Sequence, residues 1–135
     1  MKLHRFFVDS SVELTHKTWL HDAKILHQWR KVLRFDVGRE VVLFDGKGND
    51  VLYKIIKLDS EEAGLELVTK LAPVVPKREV YLVWSLLKKD KNDWVLQKCT
   101  ELGVSHFVPI IADRSEKRGF DTERAAKIVA EAAEQ

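Results

Sequence analysis

Three groups of side chains carry charge at spacings that a fold can turn into chemistry. The first runs from Lys88-Lys89-Asp90-Lys91 to Lys98, with Glu101 three residues further on and placed to pair with Lys98 on one helix face. A lysine paired in this way is ordinarily structural. The second is Arg114-Ser115-Glu116-Lys117-Arg118, which follows directly from an apolar run. If that run is a strand, Arg114 stands at the carboxyl edge where open α/β sheets place their ligands; otherwise it is a loop arginine in water. The third is Lys24, His27, Arg30, Lys31 and Arg34, which can line one side of a helix facing a polyanion. Each cluster taken alone also reads as a solvated charged face.

The chemistry these residues support is the holding of phosphate and the orientation of a substrate. No nucleophile motif, P-loop, zinc spacing or dinucleotide fingerprint accompanies them. Gly46 and Gly48 lack a third glycine and fall in a turn, where they serve a positive backbone φ. The five histidines, His4, His16, His21, His27 and His106, are scattered at spacings that do not pair on a helix face, so no metal is expected. His27 stands apart because it precedes Arg30 and Lys31 by one turn; it either faces RNA or packs against the domain.

The elements that must position these groups follow from periodicity. Residues 5–9 and 12–19 read as strands, and Asp22 as the cap of a helix whose Ile25, Leu26, Trp29, Val32 and Leu33 recur at spacings of three and four, ending near Arg34. Val37-Gly38 is a turn, and 40–44, 51–58 and 65–71 are strands joined by the glycine-bearing hairpin 45–50 and the turn 61–64. Short strands, tight turns and one helix predict a small, partly closed β-barrel over residues 1–72. Pro73 and Pro76 around Val74 and Val75 mark a domain boundary.

Beyond the prolines the pattern changes. The continuous apolar run 80–84 predicts a strand covered on both faces. Asn92 or Asp93 is expected to cap a helix over 94–102 that Gly103 ends, and a strand follows over 104–111. Asp121 or Thr122 then opens a second helix with Ala125, Ile128, Val129 and Ala132 buried and Glu123 near its positive end. The order βαβα implies parallel strands in an α/β domain over 73–135.

Size and composition bound the function classes. The 135 residues are 45% hydrophobic and 33% charged, which favours a soluble globular chain over a disordered or collagen-like one. No run approaches the ~20 apolar residues of a membrane span, and charge precedes any signal-like segment. Cys99 is the single cysteine, so a reducing, cytoplasmic setting is expected. The net charge of +2 is too mild to name a nucleic-acid partner by itself.

A two-stranded parallel sheet of some sixty residues leaves apolar surface to cover, and the helical pattern still runs at 131–135. More chain is therefore expected after Gln135, the alternative being a frayed terminal helix packed on the barrel. Uncovered strands predict self-association.

The ordered set Arg5-Phe6-Phe7-Val8, His27, Val32-Leu33-Arg34, Val37-Gly38, Phe44-Asp45-Gly46-Lys47-Gly48, Lys88, the run 96–104 (LQKCTELGV), Pro109, Arg114-Ser115 and the run 131–135 (EAAEQ) resembles the RsmE family. These are bacterial methyltransferases acting on uridine N3 in small-subunit ribosomal RNA. The resemblance implies a PUA-like RNA-docking barrel, then the opening of a SPOUT methyltransferase domain whose knot, holding S-adenosylmethionine, comes after Gln135. It implies an RNA-facing barrel with Arg5, His27 and Arg34, support of the substrate side of the cleft from Lys88, Lys98, Glu101, Arg114 and Gln135, and a homodimer through the knotted domain that a shortened chain would lose or alter. Arg30 and Lys91, from the basic clusters, join Arg5, His27, Arg34, Lys88 and Arg114 as the expected RNA contacts. No catalytic residue is identified within the chain. A stand-alone RNA-binding module and a structural domain without RNA are the readings from other classes.

Overall fold

The fold is known from a computed structural model that describes residues 2–73, 77–115 and 119–135, with Lys89 described in its backbone only. Val74, Val75, Pro76, Glu116, Lys117 and Arg118 lie outside the described residues. Contacts divide the chain into two units, Met1–Val74 and Val75–Gln135.

In the first unit the elements run β1 (His4–Phe7), β2 (Lys17–Leu20), α1 (Ala23–His27), β3 (Glu40–Phe44), β4 (Asp50–Leu58) and β5 (Ala63–Leu71). They form one five-stranded sheet in the order β1-β3-β4-β5-β2. β1 runs parallel to β3 and the other pairs are antiparallel. Alternation decides the faces: Val41, Leu43, Val51, Tyr53, Ile55 and Leu65 point to a single core, with Leu26 and Trp29 laid over them. Phe6 from one edge strand and Leu20 from the other belong to the same core. A flat sheet would hold these edges about 19 Å apart, so the sheet curls. β1 and β2 are not hydrogen-bonded neighbours, which leaves the curl open.

Asp22 caps α1 as its residue type predicts, accepting from the amides of Lys24 and Ile25 at 2.9 and 3.1 Å. The helix then loosens into a π-helical turn, Gln28–Val32, in which the Leu33 amide donates to the Gln28 carbonyl at 2.8 Å. The expected strand over 12–19 is shorter. β2 begins only at Lys17, because residues before it are drawn into turns: Asp9 accepts from the amide and hydroxyl of Ser11, and the Val12 amide donates to the Asp9 carbonyl. Thr18, buried on β2, donates to the Glu13 carbonyl at 2.9 Å and lies 3.0 Å from the Tyr53 hydroxyl, pinning that irregular stretch to the sheet.

In the second unit β6 (Tyr81–Ser85), α2 (Lys89–Glu101), β7 (His106–Ile110) and α3 (Thr122–Ala133) follow in order, and β6 pairs with β7 in parallel from Tyr81↔His106 to Ser85↔Ile110. Two expectations are corrected. α2 starts at Lys89 with Lys88 at its cap position, not at Trp94 behind Asn92 or Asp93. Asn92 reaches backwards instead: its Oδ1 accepts from the Leu87 amide at 2.9 Å and its Nδ2 donates to the Leu87 carbonyl at 2.9 Å, which ties the first helical turn to the end of β6. β6 is also not covered on both faces, since Tyr81 and Val83 are each 57% exposed. One face of the pair carries the helices' apolar side chains and the other has no layer over it among the described residues. Gly103 ends α2 at φ 95, a left-handed conformation that favours glycine.

Candidate RNA-docking surface and substrate-side cluster

The basic helix of the first unit follows from its pattern. Ile25, Leu26 and Trp29 are buried, which turns Lys24, His27, Lys31 and Arg34 outward, with Arg30 half-buried. From Ala23 to Phe35 there is no acidic residue, and the capping Asp22 stands just before that run. Arg34 is held unusually: its φ is 51, while the Phe35 amide donates back to the Trp29 carbonyl at 2.8 Å. This is the helix-closing geometry that ordinarily selects glycine.

Arg5 has a different environment from the one its charge predicts. It projects from the outer face of β1, with Nη2 2.9 Å from Asp50 Oδ2 and its guanidinium carbon 4.8 Å above the Phe44 ring. Asp50, at the start of β4, is buried. The guanidinium is therefore engaged inside the unit, and Asp50 is a partner that sequence reasoning missed, being 45 positions distant with no local signal.

In the second unit the predicted cations gather at the carboxyl ends of the parallel strands. The Leu86 amide donates to the Ile110 carbonyl at 2.9 Å, which brings the exits of β6 and β7 side by side. Lys88 and Lys91 share the first turn of α2, and both are exposed. Arg114 is exposed in the turn after β7, where the Ser115 hydroxyl accepts from the Ala112 amide at 3.0 Å and the Ser115 amide returns to the Ala112 carbonyl at 2.9 Å. Lys98 and Glu101 pair at 3.2 Å as their spacing predicts. Gln135 is not with the strand exits; it lines the open groove between α2 and α3 together with Gln97 and Arg124.

Two further groups emerge only in three dimensions. Arg124 on α3 donates to Asp93 on α2 through Nε and Nη2, at 3.2 and 2.7 Å to Oδ2, and this carboxylate raises the pKa of the guanidinium. The pair lies beside a cavity of about 290 Å³ at the exit of β6, walled by Leu86, Leu96, Phe120 and Ala125. Asn92 was expected as a cap and instead clamps Leu87 and accepts from the Trp84 indole at 3.2 Å. Among the described residues no three His, Cys, Asp or Glu side chains stand together as a metal site.

Two family models match the chain in the same order as its units: an RNA methyltransferase PUA domain at residues 30–68 and an RNA methyltransferase domain at residues 75–135. A ribosomal RNA small subunit methyltransferase E from Rickettsia conorii is 27% identical over 135 residues, all of this chain and 55% of the relative. Along its whole length the chain is similar to the RsmE family. The Aquifex aeolicus member is 33% identical over 122 residues, 86% of this chain and 52% of that protein. The crystal structure of the Neisseria gonorrhoeae RsmE enzyme, bound to S-adenosyl methionine, matches with a TM-score of 0.86 and 27% identity, over 99% of this chain and 56% of that one. The chain spans about half the length of the RsmE relatives it matches.

Proposed function

We propose that this chain is the RNA-docking and substrate-side part of an S-adenosylmethionine-dependent methyltransferase acting on uridine N3 in small-subunit ribosomal RNA, working in the cytoplasm. The observation that carries the reading is the coincidence, in one chain, of a PUA-type match on the unit with the acid-free basic helix and a methyltransferase match on the parallel βαβα unit. In this reading the first unit is a PUA-like barrel and the second the opening of a SPOUT-type domain; the complete enzyme pairs as a homodimer.

The residues divide by role. His27, Arg30 and Arg34 face the RNA backbone from the helix, with Arg5 supporting that unit through its Asp50 pair. Lys88, Lys91 and Arg114 hold phosphates at the strand exits, and Lys98, Glu101 and Gln135 support the substrate side. Transfer to N3 needs the base held in line with the methyl donor and its N3 proton removed, so positioning and electrostatics are what these side chains supply. None of the residues given a role above is assigned to S-adenosylmethionine. The cavity at the β6 exit, about 290 Å³, sits at the lower bound of ligand pockets, and its charged pair, Asp93 and Arg124, is spent internally. The cofactor is therefore assigned to the part of the relatives that this chain does not span.

Two titrations test this. Small-subunit ribosomal RNA should be retained on filters by the chain with an affinity that falls steeply with salt, and S-adenosylmethionine should give no heat on addition. Binding of the cofactor would overturn its assignment elsewhere, and salt-insensitive RNA retention would overturn the docking surface. Methylation-free RNA binding by proteins carrying the full length of the relatives would favour a stand-alone binding module instead.

A further inference from the structure

Trp19 is a large aromatic residue left half in water on the outer face of the first unit, 49% exposed. It does not stand on end. Its register partner on β5 is Gly64, and a Cβ built there would come within 3.0 and 3.2 Å of Trp19 Cζ3 and Cη2. The six-membered ring of the indole therefore packs over the glycine, while about half of the residue stays in water. Lys57, opposite Gly64 on β4, places its ammonium 5.8 Å from the ring centroid. Lys17, two residues before Trp19 and on the same face, forms no ion pair among the described residues, although Glu66 is its register partner.

The ring also adjoins the basic helix. Only His21 and Asp22 separate β2 from α1, and a cavity of about 320 Å³ is lined by Trp19, Leu20, His21 and Asp22 together with Val8, Asp9, Ser11 and Val12. A strand of RNA held by its phosphates along Lys24, His27, Lys31 and Arg34 would have a base within reach of the indole, since five residues span at most about 18 Å. Around the ring itself the charges nearly cancel: Lys57 pairs with Glu62 and Asp59, and Glu66 lies between Lys17 and Lys54. What Trp19 offers is a π-face, which every base can use and salt does not screen.

We propose that Trp19 is a stacking platform for one unpaired nucleobase of the RNA that the basic helix holds. This rests on the RNA-docking reading above, and adds to it a base-dependent, salt-independent contact. The alternative use of the ring, shielding Gly64 within the sheet, predicts no such contact.

The test uses the whole chain and two fluorescein-labelled 12-mers, oligouridine and the same backbone with abasic residues, read by anisotropy across a salt series. Trp19→Leu and Trp19→Phe both cover Gly64, but only phenylalanine presents a ring. Trp19→Leu should weaken oligouridine binding about tenfold at every salt concentration, within the range for loss of one stacked base. It should leave abasic binding and the salt slope unchanged, and Trp19→Phe should stay within about threefold of the parent. Equal binding of oligouridine by the parent and a folded Trp19→Leu overturns the platform while leaving RNA docking intact. An equal loss on the abasic strand overturns it too, because the ring then acts through the fold. If the parent retains neither oligonucleotide, the docking reading fails and the platform with it.

Discussion

The Phe35 amide donates to the Trp29 carbonyl at 2.8 Å and forces Arg34, the residue before it, into left-handed backbone at φ 51. Both ends of that hydrogen bond belong to buried core residues, so the conformation is imposed by the packing, and an arginine occupies it at a cost of about 1 kcal/mol. Replacing it separates stability from function. Arg34→Gly should raise the melting temperature by roughly 4 °C, for a gain of about 0.5–1 kcal/mol, and at the same time weaken RNA retention on filters. A destabilised Arg34→Gly would contradict the strain.

Asp50 and Arg5 give the opposite expectation. Asp50 is 8% exposed in its side chain and Arg5 28%, so removing the carboxylate leaves a mostly enclosed guanidinium without its counter-charge. Asp50→Ala should cost about 2 kcal/mol in urea unfolding, reduced from the fully buried case because Arg5 keeps some water. Arg5→Met should cost at least as much as Asp50→Ala, because it leaves the more deeply buried Asp50 carboxylate without its counter-charge.

Burial raises the pKa of the Tyr53 hydroxyl above the ordinary tyrosine range, with its hydrogen bond to Thr18 pulling the other way. The folded state thus favours the neutral phenol. Its contribution is fully present below the unfolded value of about 10 and is lost as pH rises through the higher folded value. Stability followed by denaturant at increasing alkaline pH should decline from about pH 10 in the parent and decline less in Tyr53→Phe. Tyr53→Phe should itself cost roughly 1–2 kcal/mol at neutral pH, because the Thr15 carbonyl, 2.7 Å from the hydroxyl, loses its donor.

The open face of β6 and β7 predicts association in solution. Tyr81, Val83, Val108 and Ile110 are exposed on adjacent strands, and apolar strands without a covering layer seek one. Light scattering should report masses above a monomer at high concentration, and Val83→Lys should return the chain toward monomer. A concentration-independent monomer would contradict this.

Legibility in the sequence followed the range of the interaction. The Asp22 cap, the Gly103 stop, the Lys98–Glu101 pair and the β3–β4–β5 meander were readable because each depends on residues a few positions apart. The α2 start was misplaced because Asn92 has the right type for a cap but bonds to Leu87 behind it. The π-helical turn left no trace in an ordinary three-and-four spacing. Arg5–Asp50, Asp93–Arg124 and Trp19 over Gly64 each join residues that only the topology brings together. The apolar run of β6 resembled a strand with two neighbours, and residue types alone do not say whether the covering layer is at hand.

The parallel pairing of β6 with β7 bears on the order in which the chain acquires structure. β3, β4 and β5 meet through short turns and can zip locally, whereas Tyr81 cannot find His106 until α2 has formed and folded back between them. Longer closures, from His4 to Val41 and from Lys17 to Glu66, belong to the first unit, so the pairing of β6 with β7 is the later step and not the costlier one. Synthesis from the amino terminus gives the first unit time to finish before that step begins.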